Sequence, residues 1–331
     1  MNSTEIVYLL GAGASYGMRD KEGDIIRGLP IVNEMANEVE KLRVSLIPKE
    51  ARSLTDIERF IINSLTRLRD NCINYPTIDT YAKQLYVTHR QDEYEQLKKD
   101  LTIFFTLMQE PRKKDLRYDG FIASLVEQGA TIPTFPSNVK ILSWNYDSQI
   151  EFTFSNYLEK HMRTIWHIYY YLNVRHKFAT DEKRSGFEII KLNGTAYPTD
   201  RKNMKAIDYF LGFDISRNTI CERLFERDAP NILSFAWEQD ENFYSDIADE
   251  IKNATTLVII GYSFPYVNRK IDRMLIQSME NLKNVYIQDL VPELIEESFN
   301  ATLSEKQIKS GQIKCKHFRN VNQFIIPREL Q

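Results

Sequence analysis

The 331 residues are 43% hydrophobic and 27% charged, with a formal net charge of −3, a balance that fits a globular protein with a full core. That charge excludes bulk attraction to nucleic acid or to an anionic membrane, leaving only local basic clusters such as Arg112 to Lys114. The three cysteines, Cys72, Cys221 and Cys315, are far apart with no C-x-x-C spacing, which argues against a disulfide framework or a cysteine zinc site and for a reducing cytoplasm. Met1 to Tyr8 lack a basic segment followed by a long apolar core, and no run of about 18 apolar residues occurs, so no membrane contact is expected.

In chain order, Ile6 to Leu10 reads as a buried strand, and Val7 to Ser15 (VYLLGAGAS) carries it into a Gly-Ala-Gly turn. Such a turn lets backbone amides approach a pyrophosphate, while the missing glycine-lysine-serine argues against a P-loop ATPase. A strand followed by Gly-x-Gly is also what an ordinary tight turn looks like. After Pro30, Ile31, Met35, Val39 and Leu42 recur at helical spacing, and the pattern stays helical from Thr55 to about Gln109. Residues 31–130 are therefore expected to form a helical insertion or cap, whose aromatics read first as core and whose amphipathic face offers a self-association surface or a pocket cover.

Beyond the loop Thr131 to Asn138, Val139 to Ser143 predicts a second buried strand and Tyr146 to Leu158 a helix. Phe187 to Leu192, Thr256 to Ile260 and Val285 to Ile287 are further strands, the last followed by a helix opening near Pro292. Each ends in a polar or glycine-containing loop. In open parallel sheets such loops converge at the carboxyl ends of the strands, so the expected fold is α/β, a Rossmann-like doubly wound parallel sheet over residues 1–331. Residues 197–250, rich in charged and aromatic side chains without a clear period, form a second insertion that the pattern does not resolve.

Gly11-Ala12-Gly13-Ala14-Ser15 with Gly28-Leu29-Pro30, Ser143-Trp144-Asn145-Tyr146-Asp147, Lys191-Leu192-Asn193-Gly194 and Gly261-Tyr262-Ser263-Phe264 together resemble the ordered signature blocks of the sirtuin-like family. The Trp-Asn-Tyr-Asp and Gly-Tyr-Ser-Phe forms, with no four-cysteine zinc module, make the chain similar to bacterial sirtuin-like NADases of phage defence rather than to protein deacetylases. The resemblance implies an enzyme that hydrolyses NAD to nicotinamide and ADP-ribose without a metal, acts as a homo-oligomeric effector, and works beside a partner ATPase or nuclease. It implies that Gly11, Ala12 and Gly13 approach the pyrophosphate with Ser15 donating nearby. Asn145 would orient the nicotinamide ribose and a water, and Asp147 would meet the carboxamide. Gly261 and Ser263 would line the adenosine side, and Gln288 or Asp289 would bind the adenine ribose hydroxyls. Read without the resemblance, Asn145 and Asp147 also suit a helix N-terminus, and the later residues suit surface loops.

One departure bears on the chemistry. Asn193 stands where the family has histidine, and an amide has no useful proton affinity near neutral pH; losing a positioned general base costs about 10²- to 10⁴-fold in rate. The exchange, natural or introduced, leaves a slow hydrolase or a non-catalytic NAD- or ADP-ribose-binding scaffold as readings beside the full enzyme. His161, His167 and His176 around the tyrosine-rich stretch Trp166 to Tyr171 match no metal-binding spacing, and His89 and His317 have no nucleophile pattern beside them. Ser15 and Ser143 lie outside any G-x-S-x-G elbow, which argues against a serine hydrolase.

Overall fold

The computed structural model describes residues 5–48, 53–109, 113–129, 132–177, 186–196, 233–238 and 241–330. Strand β1 (Glu5–Leu10), an almost unbroken apolar run buried on both faces, enters a single 3-10 turn, Ala12–Ser15, and then a short hairpin, β2 (Met18–Arg19) and β3 (Ile25–Arg27). Five helices follow: α1 (Met35–Ser45), α2 (Asp56–Asn74), α3 (Ile78–Val87), α4 (Gln91–Met108) and α5 (Arg117–Leu125). The expected helical stretch from Thr55 to Gln109 is broken twice for local reasons. Thr55 and Glu58 close a capping box at the start of α2. Pro76 precedes Thr77, whose hydroxyl caps α3, and His89 takes a left-handed φ of 56° before α4.

The second half alternates strand and helix: β4 (Val139–Ser143), α6 (Gln149–Phe154), α7 (Ile165–Leu172), β5 (Val174–His176) and β6 (Glu188–Lys191). Then come α8 (Glu241–Ile251), β7 (Ala254–Ile260), α9 (Arg269–Ser278), β8 (Asn284–Gln288), α10 (Pro292–Asn300), α11 (Glu305–Ser310) and β9 (Lys314–Phe318). Seven strands form one sheet in the order β5-β6-β4-β1-β7-β8-β9, and every pairing is parallel. This is a Rossmann-like doubly wound sheet. After β1 the chain builds outward on one side through β4 to β6, then returns across β1 to continue with β7, so the change of direction falls beside the carboxyl end of β1.

Side chains alternate between two cores. Tyr8, Ile141 and Ile189 face the layer of α5, α6 and α7, whereas Leu9, Leu142 and Leu257 face α8, α9 and α10. A third core lies inside α1 to α4 and takes in Ala196, Leu233, Phe235 and Trp237, with Tyr146 packed against it. Thr106 of α4 donates to the carbonyl of Ala196 at 2.8 Å, which fixes the helical layer against the exit of β6. The expected insertion at 31–130 thus corresponds to five helices between the hairpin and β4. Of the stretch 197–250, residues 197–232 and 239–240 lie outside the described residues, 233–238 pack on the third core, and α8 closes the segment. Among the described residues no helix is long and apolar enough to cross a membrane.

Candidate functional site

The strand ends meet as a row of loops. The Gly13 amide donates to the carbonyl of Gly261 at 3.0 Å and that of Gly11 to Ile260 at 3.1 Å, which joins the loops after β1 and β7 backbone to backbone. A Cβ on Gly11 would stand 2.5 Å from the Gly261 oxygen, one on Gly13 2.7 Å from Gly261 Cα, and one on Gly261 2.4 Å from Gly13 Cα. Three glycines are needed because two main chains touch there. The amides of Gly11, Gly13 and Ala14 are therefore already bonded within the protein, the last to Gly11 at 2.9 Å, and the exposed residue at the crest of the turn is Ala12. The first regular helix starts only at Met35, beyond the hairpin, so the turn opens a 3-10 turn and not a long helix with a strong dipole.

Asn145 bridges the loops after β4 and β1. Its Nδ2 donates to the Gly11 carbonyl at 2.8 Å and to Ser15 Oγ at 3.2 Å, while its own amide donates to Ser143 Oγ at 3.2 Å. Ser15 is buried and shares a 3.1 Å hydrogen bond with the Tyr118 hydroxyl of α5. Burial holds that phenol neutral, well above its ordinary range, with Asp147 adding to the rise. Asp147, also buried, accepts the Gln149 amide at 3.2 Å ahead of α6, so it does act as a helix-entry residue, whereas Asn145 lies well before the helix and does not cap it.

Asn193 follows β6 in the same row. Its Nδ2 donates to the Trp144 carbonyl at 3.4 Å, and its Oδ1 is buried without a hydrogen-bond partner among the described residues, with the Tyr146 phenol as its neighbour. An orphaned amide oxygen is costly to bury and marks a place for a water or ligand group. Trp144 stacks on Tyr262 at 6.0 Å and 15°, and the Tyr262 hydroxyl donates to Asp272, whose two oxygens both lie 2.9 Å away. On the other side of the glycine turn Ser263 is exposed beyond Gly261, and Asp289 is half-buried just past β8, one oxygen accepting the Val291 amide at 3.1 Å. Gln288 does other work. Its Nε2 donates to the carbonyls of Asn320 and Gln323 at 2.5 and 2.6 Å, and its Oε1 accepts from Ile325 at 3.1 Å, so the whole amide pins the C-terminal segment.

Two further groups at these loops were not visible in the sequence. Arg117 of α5 donates to the carbonyls of Gly13 and Ala14 at 3.0 and 3.2 Å and to Val321 at 3.0 Å, which clamps the glycine turn to the C-terminal segment. Lys191, buried at the end of β6, pairs with buried Glu151 at 2.9 Å and donates to the Asp147 carbonyl at 2.6 Å. Burial pushes the Glu151 carboxyl up and Lys191 pulls it back down. The readable signal for this pair was a cation and an anion, each inside an otherwise apolar run.

Among the described residues no three His, Cys, Asp or Glu side chains gather as metal ligands. His167 hydrogen-bonds Thr164 at 2.7 Å, and His161 and His317 pair with acids of the surface, at 3.4 Å to Glu159 and 2.6 Å to Glu296. No family model and no curated protein matches the chain.

Proposed function

We propose that the row of loops binds NAD and that the protein hydrolyses it to nicotinamide and ADP-ribose. The observation that carries this reading is the contact of Asn145 with Gly11 at 2.8 Å, 134 positions away in sequence, beside the Gly13 to Gly261 contact at 3.0 Å. Asn193, Asn145, Gly11 to Gly13, Gly261 and Asp289 thus follow the ends of five adjacent strands, β6, β4, β1, β7 and β8. Four gaps of about 4.8 Å give roughly 19 Å, the reach of an extended dinucleotide rather than of a single nucleoside. The nicotinamide end is assigned to Asn145, Asp147 and Asn193, where amides orient hydroxyls and water, and the adenosine end to Gly261, Ser263 and Asp289. Their spacing along the sheet and the resemblance to sirtuin-like NADases support that assignment. The same resemblance supports an effector role in anti-phage defence, a homo-oligomer, and an ATPase or nuclease partner.

A non-catalytic nucleotide-binding scaffold is the second reading, favoured by Asn193, whose side chain cannot accept a proton as histidine would. Incubating the chain with NAD or its fluorescent etheno analogue, beside the Asn193→His variant, separates the two. Release of nicotinamide by the chain itself is expected. Saturable binding with no turnover in either protein would overturn the hydrolase reading and leave the scaffold.

A further inference from the structure

Asp272 lies in the first turn of α9 and is 1% exposed. Both of its oxygens stand 2.9 Å from the Tyr262 hydroxyl, and Asn268 Nδ2 donates to that same hydroxyl at 3.2 Å. Its flank closes a small cavity whose other walls are Leu9, Leu142, Leu257, Leu275, Ile276 and Met279. Among the described residues no cation pairs with it: its neighbour Arg269, one turn earlier, lies over the Tyr266 ring at 5.0 Å. A carboxylate walled by apolar side chains and offered one phenol proton is poorly solvated. A neutral carboxyl fits the same geometry fully. One oxygen accepts the phenol proton, the other donates to the phenol oxygen, and the remaining lone pair of that oxygen takes Asn268.

Tyr262 is where this carboxyl meets the strand ends. A Cβ on Gly11 would stand 2.6 Å from Tyr262 Cα and 2.8 Å from its Cβ, so Tyr262 walls the glycine turn. Its ring stacks on Trp144 at 6.0 Å and 15°, and the Trp144 carbonyl accepts Asn193 Nδ2 at 3.4 Å. The loop that carries it runs between two left-handed residues, Gly261 at φ 58° and Phe264 at φ 54°. Such a backbone is strained at a phenylalanine, and the packing of Phe264 on Tyr262 at 4.8 Å and on Phe299 at 6.1 Å holds it. Moving Tyr262 therefore disturbs the glycine turn, the Trp144 stack and a strained loop together.

We infer that Asp272 is a positioning residue of the nucleotide site: as a neutral acid it holds Tyr262 against Gly11 and Trp144, and its ionisation releases them, so that nucleotide is held below that transition and let go above it. This rests on the nucleotide-binding reading above. Asp272 acts through Tyr262 and does not itself meet the ligand. Burial pushes its carboxyl up to about 8, so the neutral form prevails at pH 7 and is lost as pH rises through that value. The other groups around it do not titrate in this window. Tyr262 is held neutral by burial, as is Tyr244 of α8, which donates to the Leu192 carbonyl at 2.9 Å. Asp79 of α3, the helix packed on the Tyr266–Asn268 turn, is pushed up to about 6 and has ionised by pH 7. The strands beneath present only the leucines named, and α11 presents the neutral Gln307, which donates to the Ile276 carbonyl at 3.0 Å.

The test follows ADP-ribose affinity by titration calorimetry, and the aromatic circular dichroism of the ligand-free full chain, from pH 6.5 to 9.5 in the parent and in Asp272→Asn. Apparent affinity scales with the fraction of competent protein, so the parent is expected to lose about tenfold between pH 7 and pH 9.5. Its aromatic signal is expected to change over the same range, with a midpoint near 8. Asp272→Asn keeps a neutral side chain at every pH, and both of its profiles are expected to stay within about twofold of their own values at pH 7. The parent's profiles decide the matter even if the variant fails to fold. ADP-ribose binding and an aromatic signal that are both flat across the range in the parent would overturn the inference and leave the nucleotide reading standing. A folded Asp272→Asn protein with the parent's slopes would overturn it too, by placing the titration elsewhere. An aromatic titration lost in Asp272→Asn, in a chain that gives no ADP-ribose heat at any pH, would keep the acid's hold on Tyr262 and overturn the nucleotide reading.

Discussion

At the scale of single residues, burial raises several acids and phenols around these loops above their ordinary values. Asp272 is pushed up to about 8 and Asp79 to about 6 from an ordinary 3.8, both by burial. A carboxyl whose folded value lies above its unfolded one binds its proton more tightly in the native state, so stability falls as pH rises between the two values. The loss runs from about pH 4 to 6 for Asp79 and continues to about pH 8 for Asp272. Melting temperature is accordingly expected to decline from pH 5 to pH 8.5, with Asp272→Asn flattening the upper part of the decline and Asp79→Asn only the part below pH 6. An Asp272→Asn protein that melts with the parent's full slope above pH 6 would show that this carboxyl is not held protonated.

At the scale of elements, Lys191 on β6 and Glu151 on α6 join a strand end to the helix behind it. Removing one partner leaves a buried charge with nothing to compensate it. Lys191→Met is therefore expected to cost about 3–5 kcal/mol in urea unfolding, and Lys191→Met with Glu151→Leu to recover more than half of that. A double variant no more stable than the single one would show that the loss comes from the Asp147 carbonyl contact or from packing, not from the stranded carboxylate.

Elements also set how much could be read from the sequence. The five central strands were legible because parallel strands buried on both faces leave uninterrupted apolar runs, as in Ile6 to Leu10. The edge strands were not. β5 has three residues, and β9 is Lys-Cys-Lys-His-Phe, whose charges protect an exposed edge and erase the apolar pattern. The β2–β3 hairpin was likewise too short to carry one. That the loops carrying Gly11, Asn145, Asn193 and Gly261 lie together was legible because loops after parallel strands share one end of the sheet. Position after a strand does not reveal that the Gln288 amide's bonds are all made to the C-terminal segment, because those partners lie far along the chain.

At the scale of the whole molecule, a seven-stranded sheet supplies a row of loops, and the cap stands over one end of it with Tyr146 packed into its core. The C-terminal segment braces the other end. Arg117 and Gln288 hold it by Val321, Asn320, Gln323 and Ile325, and Phe324 meets Tyr118 and Phe121 edge-on at 4.9 and 5.5 Å. Tyr118 in turn bonds Ser15, which Asn145 also reaches, so the brace extends through α5 to the loops after β1 and β4. Helical layer, sheet and brace together hold the loops in place without a ligand. The most direct test is titration calorimetry of the full chain with ADP-ribose, beside Asn145→Ala, which removes the side-chain bonds to Gly11 and Ser15. Saturable binding at one site per chain, weakened about tenfold or more in Asn145→Ala, is the predicted result. Absence of saturable heat with the parent chain, or equal affinity in the variant, would contradict a nucleotide held by this row of strand ends.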